Sequence, residues 1–164
     1  MISFSELSHF IRPNQRIWLY QFERSLNEQQ IKEIENTLQT FVTDWSSHGQ
    51  ALHAKYTLLE GHYILISVDE NIFEASGCSI DKCTHVLQKI NTEYSLDLFN
   101  RLIIGVYRLG RLNFYTKQVI QKQIAKGEIS AEDLFVDLSI STGNALTHML
   151  KPIHQSWFYS SRHA

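Results

Sequence analysis

Apolar residues recur in steps of three and four after Asn27, which is the spacing of an amphipathic helix. Ser25 with Glu28 fits a capping box, Asn27 is a second candidate cap, and Gly49 suits a helix C-terminus. The pattern therefore predicts a helix that ends near Gly49. Its buried face is formed by Ile31, Ile34, Leu38, Phe41 and Trp45.

The same spacing returns later in the chain. Ser79 is a candidate helix cap there, and Asp81 lies in the first turn, where a negative charge interacts favourably with the helix dipole. A second amphipathic helix is therefore predicted, with Cys83 on its buried face. The residues of that face are Ile80, Cys83, Leu87, Ile90 and Tyr94.

Four runs of β-branched and aromatic residues predict β-strands. Gly61 and His62 form a tight turn between the second and the third run, so these two runs are expected to form a hairpin. The four runs are residues 16–22, 51–60, 63–68 and 102–107.

The predicted order is strand, helix, strand, strand, helix, strand. This βαββαβ order is typical of a ferredoxin-like α+β fold, in which an antiparallel sheet carries both helices on one face. We expect residues 1–110 to form this core and residues 111–164 to form a mainly helical C-terminal extension packed on it. With 164 residues, 43% of them hydrophobic, the chain has the size and composition of a single domain.

Within the extension, helices are predicted over residues 115–125 and 142–150, the second closed by Pro152. Residues 134–140 fit a capped turn and a strand equally well, so both interpretations stand. The aromatic residues 157–159 are expected to fold back over an apolar surface.

The net charge and the apolar runs of the chain indicate which partners and which location to expect. With 15 basic and 17 acidic residues, the net charge of −2 offers no attraction for nucleic acid or an anionic membrane, so neither is an expected partner. The N-terminus lacks the pattern of a leader and no apolar run has the length of a membrane span, which makes the reducing cytoplasm the expected location.

Cys78 and Cys83 would point in different directions on one helix, so no disulfide between them is expected.

The loop around Cys78 is the first candidate site. Free backbone amides at a helix N-terminus stabilise a thiolate, which makes Cys78 a candidate nucleophile. Ser76, Gly77, Ser79 and Asp81 surround it with hydroxyls, a flexible glycine and helix-starting amides, the components of a small anion site. In the alternative interpretation, Ser79 only caps the helix and Cys78 is a small buried apolar residue.

Imidazoles and carboxylates are expected to approach this loop. In the predicted sheet, the second strand begins beside the end of the third strand. His48 and His53 flank that beginning, and Asp69 and Glu70 follow that end. Their convergence with Cys78 would permit acid–base or nucleophilic catalysis. In the alternative interpretation, His48 interacts with the helix C-terminus and His53 lies on the solvent face of its strand.

Several familiar motifs are absent. The chain has no H-x-H, H-E-x-x-H or C-x-x-C spacing, so no metal site is expected. It also lacks G-x-G-x-x-G and the G-x-x-x-x-G-K-[ST] loop, which excludes P-loop ATP hydrolysis and leaves no cofactor implied.

Several segments together resemble a family of short bacterial proteins, typical of bacteroidetes, that often carry the label "ABC transporter ATPase". The segments are Trp18-Leu19-Tyr20-Gln21 with Arg24, Trp45-Ser46-Ser47-His48-Gly49, Val68-Asp69-Glu70, the run from Ala75 through Asp81, Leu98-Phe99-Asn100-Arg101 and Ser156-Trp157. The resemblance covers nearly the whole chain, and its most specific element is the run at residues 76–81. It implies a site there without implying a reaction, because the loop that ATPase chemistry needs is missing.

The first functional hypothesis is a cytoplasmic protein that binds a small ligand or an anion at the loop of residues 76–81. His48, Asp69 and Glu70 would complete the site, Arg101 is an additional candidate ligand, and the cysteine of the loop would serve a hydrolase or transferase reaction. The alternative is a non-catalytic interaction or structural domain whose partner is another protein or a second copy of the chain.

Overall fold

The computed structural model describes residues 2–159, except for the side chain of Ser8. Residues 160–164 of the predicted extension lie outside this range. The chain forms two compact units. Of the described residues, the first unit comprises those up to Phe99 together with Ser139–Leu146, and the second comprises Asn100–Leu138 together with those from Thr147 onward.

The first unit is a three-stranded antiparallel sheet with two long helices. The central strand, β5, pairs with β1 on one side and with β4 on the other. Following a short 3-10 turn at Phe4–Glu6, the elements are α1 (Leu7–Phe10), β1 (Arg16–Gln21), α2 (Glu28–Asp44), β2 (Ser46–Ser47), β3 (Gln50–Ala51), β4 (Ala54–Leu59), β5 (Tyr63–Val68) and α3 (Gly77–Tyr94).

Both predicted long helices are present. The α2 helix begins with a reciprocal capping box, in which the Asn27 side chain accepts from Gln30 N at 2.9 Å and the Gln30 side chain accepts from Asn27 N at 3.1 Å. Alternate residues of β5 face α2 and α3 and share one core with them. That core includes Ile34, Leu38, Ile64, Ile66, Val68, Cys83, Leu87 and Ile90.

The α2 helix ends earlier than predicted. Trp45 is already extended, with φ −71° and ψ 122°, and the next six residues form the short hairpin of β2 and β3. His48 and Gly49 make its turn with φ values of 49° and 81°. Two successive positive φ values match the twist of a two-residue hairpin, so the chain reverses here instead of continuing the helix.

The central strand contains one unsatisfied buried group. Ser67 is fully buried, and its hydroxyl has no hydrogen-bond partner among the described residues. A buried hydroxyl without a partner loses its hydrogen bonds to water on folding and forms none within the protein.

Replacing Ser67 with alanine is therefore expected to leave the free energy of unfolding unchanged or to raise it by up to about 1 kcal/mol. Ser79 is the matched control, because it is equally buried but its Oγ donates to Ser76 O at 2.8 Å. Ser79→Ala should lower stability by about 1 kcal/mol. Urea unfolding of both variants measures the difference, and a loss of stability in Ser67→Ala equal to that of Ser79→Ala contradicts the prediction.

A distant segment extends the free side of β1. Ile17 N donates to Ser141 O at 2.9 Å, and Arg16 forms an antiparallel bridge with Thr142. Gly143 N then donates to Gln15 O at 2.7 Å. Residues 139–146 therefore belong to the first unit although they are far from it in sequence.

The second unit has a four-stranded antiparallel sheet in the order β7, β6, β8, β9. Its elements are β6 (Ile103–Arg108), β7 (Arg111–Thr116), α4 (Lys117–Ala125), β8 (Leu134–Val136) and β9 (Leu150–Pro152), with a 3-10 turn at Ile153–Gln155. A further 3-10 turn at Gly143–His148 begins in the residues of the first unit and ends in those of the second. Its core consists of Ile104, Val106, Ile120, Ile129, Phe135, Ile153 and Phe158.

The α+β class with antiparallel sheets is confirmed, but the ferredoxin-like sheet is not found. The fourth predicted strand, β6, pairs with β7 and β8 and not with β1. Leu109 and Gly110 explain this pairing, because their φ values of 50° and 74° form a two-residue turn that brings β7 directly beside β6.

The prediction of a mainly helical extension is wrong for the described residues. Arg111–Thr116 is a strand, and the undecided stretch near residue 134 is also a strand. The helix predicted over residues 142–150 is a 3-10 turn followed by β9. Of the terminal aromatics, Phe158 is buried, whereas Trp157 is exposed. No helix among the described residues is long and apolar enough to cross a membrane.

Candidate functional site

The loop that precedes α3 begins the helix as predicted, but with a different cap. Ser76 is the N-cap, and its Oγ accepts from Ser79 N at 3.3 Å. Ser79 is instead buried in the first turn, where its hydroxyl donates to Ser76 O. Gly77 is the first helical residue and is exposed. The hydroxyls expected to bind an anion thus satisfy the backbone of the loop itself.

The two cysteines lie in contrasting surroundings. Cys78 is exposed in the first turn of α3, which contradicts its interpretation as a buried apolar residue. No hydrogen bond joins its thiol to another described residue. Cys83 is buried in the core, and burial raises the pKa of its thiol to about 12.

This contrast predicts selective alkylation. Iodoacetamide at pH 8 is expected to modify Cys78 and to leave Cys83 unmodified in the folded protein, because the reactive species is an accessible thiolate. Intact-mass measurement should show one adduct, and peptide mapping should place it at Cys78. Cys78→Ser is the control and should show no adduct until the protein is denatured. Two adducts on the native protein contradict the prediction.

Asp69 and Glu70 hold the loop in place. Glu70 Oε1 accepts from Ala75 N at 3.1 Å and from Arg16 Nη1 at 3.2 Å. Asp69 Oδ1 accepts from Asn71 N at 3.2 Å, while its Oδ2 lies 3.7 Å from Arg12 Nη1. Each carboxylate therefore has a backbone amide and an arginine as partners.

The segment containing His48 and His53 does lie beside this loop. Ser76 N donates to Ser47 Oγ at 3.3 Å, and Asp69 N donates to the His53 carbonyl oxygen at 2.9 Å. The imidazoles themselves are exposed, and His48 occupies the turn between β2 and β3. The structure thus joins the two segments through their backbones and through Ser47.

The remaining predicted site residues are Asp81 and Arg101. Asp81 is exposed. It was predicted in the first turn of the helix, but because α3 begins at Gly77 it lies beyond that turn. Arg101 belongs to the second unit, where its Nη1 lies 3.5 Å from Leu138 O. Among the described residues, no group of three or more His, Cys, Asp or Glu side chains is arranged to hold a metal ion.

A groove between α2 and α3 is a second candidate site. Its ends are marked by two hydrogen bonds between these parts of the chain. The Tyr94 hydroxyl donates to Glu33 Oε2 at 3.0 Å, and Trp45 Nε1 donates to Ser79 O at 2.8 Å. The early part of α2 thus contacts the end of α3, and the residue that follows α2 contacts the start of α3. The two helices therefore run antiparallel.

The groove has a volume of about 720 Å³. Phe41, Trp45 and Val86 supply its apolar surface, and the rings of Phe41 and Trp45 lie 4.8 Å apart. Trp45 is only 2% exposed, whereas Phe41 and Val86 are half-buried. The polar lining residues are Asn36, Thr37, Thr40, Asp44, Lys82, His85 and Lys89.

A hydrogen bond to one ring nitrogen of His85 determines which of its two nitrogens a ligand can reach. Its Nδ1 lies 2.7 Å from Asp81 O, and a carbonyl oxygen only accepts, so Nδ1 carries the proton. The Nε2 atom is then the nitrogen left for a ligand. The ion pairs of the described residues do not include Lys82, Lys89 or Asp44.

The helical spacing placed Phe41 and Trp45 on the buried face of the predicted helix, and the groove was not predicted. A signal was present, because Lys82, His85 and Lys89 recur at steps of three and four and share one face of α3 with Val86. What the sequence does not show is that this face lies next to Phe41 of α2.

Comparisons with protein-family models, with curated proteins and with solved structures found no match for this chain.

Proposed function

We propose that this protein binds a small organic ligand in the groove between α2 and α3. The observation that carries the proposal is the groove itself, whose volume of about 720 Å³ lies in the range typical of small-molecule sites. Such sites combine an aromatic and aliphatic surface with a few polar groups. Phe41, Trp45 and Val86 supply the apolar surface. The lysines and His85 of α3 supply the polar groups.

The shape of the groove is held by contacts at both ends. Trp45 and Ser79 are joined by a buried hydrogen bond at one end, and Glu33 and Tyr94 by a second hydrogen bond at the other. A site whose walls are already in place loses little conformational entropy when a ligand binds. This arrangement supports binding by a preformed groove.

The loop at residues 76–81 has a supporting role in this proposal. By starting α3, it places Ser79 O where it accepts the hydrogen bond from Trp45 Nε1, at one end of the groove. A catalytic role for Cys78 with His48, Asp69 and Glu70 stays a prediction, as do the cytoplasmic location, the alternative of an interaction domain and the resemblance to the bacteroidete family.

The test uses a neutral fluorescent probe, N-phenyl-1-naphthylamine, whose emission rises in apolar surroundings. Saturable enhancement is expected with the native protein. Thr40→Trp should abolish it, because Thr40 lines the groove and the larger side chain fills the space.

Thr43→Trp is the matched control. Both threonines are exposed on α2 and donate to the carbonyl four residues earlier, but Thr43 does not line the groove. Probe binding should therefore persist in Thr43→Trp. Equal binding by the two variants, or no saturable binding by the native protein, overturns the proposed function.

A further inference from the structure

The charges along the groove are unevenly distributed. Because the helices run antiparallel, residues near Trp45 on α2 lie opposite the start of α3, and residues near Glu33 lie opposite its end. Asp44 is therefore level with Lys82, whereas Asn36 and Thr37 are level with Lys89. Among the residues that line the groove, one end therefore pairs a cation with a carboxylate, and the other pairs a cation with neutral side chains.

The Lys89 end is the one suited to an anion. Thr37 directs its hydroxyl to Glu33 O at 3.0 Å, which leaves the Asn36 amide as the neutral donor opposite Lys89. Glu33 itself does not line the groove and is bonded by the Tyr94 hydroxyl and by Gln29 Nε2 at 2.9 Å. At the opposite end, the Asp44 carboxylate repels an anion and offsets the charge of Lys82.

The middle of the groove is suited to a flat apolar group. Phe41 and Val86 line it from the two helices, and Trp45 lies beyond them toward the Lys82 end. Lys82 and Lys89 are seven residues apart on one helix, which corresponds to about 10 Å along its axis. A body of one or two rings fits within that length. His85 Nε2 adds one hydrogen-bonding atom between the two lysines.

We infer that the ligand is an amphipathic monocarboxylate with a flat apolar body, and that its carboxylate binds Lys89 and Asn36. This inference rests on the proposed function and adds the chemical class and the orientation of the ligand. The ring system lies against Phe41, Val86 and Trp45, directed toward the Lys82 end. A dianion is disfavoured because its second charge would meet Asp44.

Two probes of nearly equal shape separate charge from apolar contact. They are 1-naphthaleneacetate and the neutral alcohol 2-(1-naphthyl)ethanol, each titrated by calorimetry and by displacement of N-phenyl-1-naphthylamine. The acid should bind about fivefold more tightly than the alcohol, the upper end of what a solvent-exposed ion pair contributes. Added salt should reduce this preference, because an exposed ion pair is screened.

Variants then identify the cation. Lys89→Gln should remove the preference for the acid without weakening binding of the alcohol, and Lys82→Gln should keep most of the preference. Lys32→Gln is the control, since Lys32 is exposed on α2 outside the groove, and it should behave as the native protein.

The outcomes distinguish this inference from the function on which it rests. Equal affinity for the acid and the alcohol, or a preference that survives Lys89→Gln, overturns the inference while probe binding in the groove still supports the function. Binding of N-phenyl-1-naphthylamine without binding of either naphthyl probe also overturns the inference. Failure of all three compounds to bind overturns both.

Discussion

Replacing Gly143 with alanine is expected to destabilise the first unit by about 3 kcal/mol or more, the range of severe overpacking. A Cβ atom at this position would overlap the carbonyl oxygen of Arg12 and would lie 2.9 Å from its carbonyl carbon. Both are backbone atoms, so no side-chain rotation relieves the clash. Gly143 N also donates to Gln15 O at 2.7 Å, which holds the two segments at this separation.

The measurement is amide hydrogen exchange in β1 and β5, together with thermal unfolding. Exchange in these strands should accelerate in Gly143→Ala, because residues 139–146 can no longer pair beside β1. Gly77→Ala is the matched control. Nothing lies within 4 Å of a Cβ built there, and Gly77 is the first residue of α3, so alanine should be neutral or slightly stabilising. Equal stability of the two variants contradicts this account of Gly143.

Truncation of Trp45 to alanine is expected to lower the free energy of unfolding by about 3–5 kcal/mol, as for other buried aromatic residues. Trp45 is 2% exposed, lies 4.8 Å from the ring of Phe41 and 6.0 Å from that of Trp18, and donates a buried hydrogen bond to Ser79 O. The truncation removes this packing and the buried hydrogen bond to Ser79 O.

Two further variants separate the contributions. Trp45→Phe keeps most of the packing but loses the indole N–H, so a smaller loss of about 1–3 kcal/mol is expected. Trp157→Ala controls for the loss of a tryptophan, because Trp157 is 70% exposed and should change stability by about 0.5 kcal/mol or less. Urea unfolding measures all three, and a Trp45→Ala protein as stable as Trp157→Ala contradicts the assigned role.

The Trp45 variants also bear on the proposed function. Trp45 forms one end of the groove, so Trp45→Ala should weaken binding of N-phenyl-1-naphthylamine at a temperature where the protein is still folded. Trp45→Phe should weaken it less, because a phenyl ring retains part of the apolar surface. The order of affinities is therefore expected to follow the size of the remaining side chain.

Local patterns explain why the two long helices were predictable. Apolar residues at steps of three and four in α2 and α3 indicate which face of each helix packs on the sheet. The Asn27 cap is a contact within four residues. The hairpin of β4 and β5 was predictable for the same reason, since its turn and its apolar runs are adjacent in the chain.

The features that the sequence did not predict depend on pairing between distant parts of the chain. The partner of β6 depends on the turn at Leu109 and Gly110, and leucine at a positive φ has no sequence signal of the Asn-Gly type. The placement of residues 139–146 beside β1 depends on backbone hydrogen bonds and on the close approach that Gly143 permits, and neither leaves a local signal in the sequence. The element order alone was therefore compatible with a ferredoxin-like sheet, whereas in the described residues β6 pairs with β7 and β8.

The same division applies to the candidate site. By itself, the sequence determined that a helix begins near Ser76, that Cys83 lies in the core and that residues near His53 meet residues near Asp69, because short-range caps and strand order govern these features. Only the tertiary structure decided that Asp69 and Glu70 have partners in the loop and that an open groove lies between α2 and α3. Which faces of two helices meet depends on their packing angle and register, and these are properties of the assembled layers and not of either helix alone.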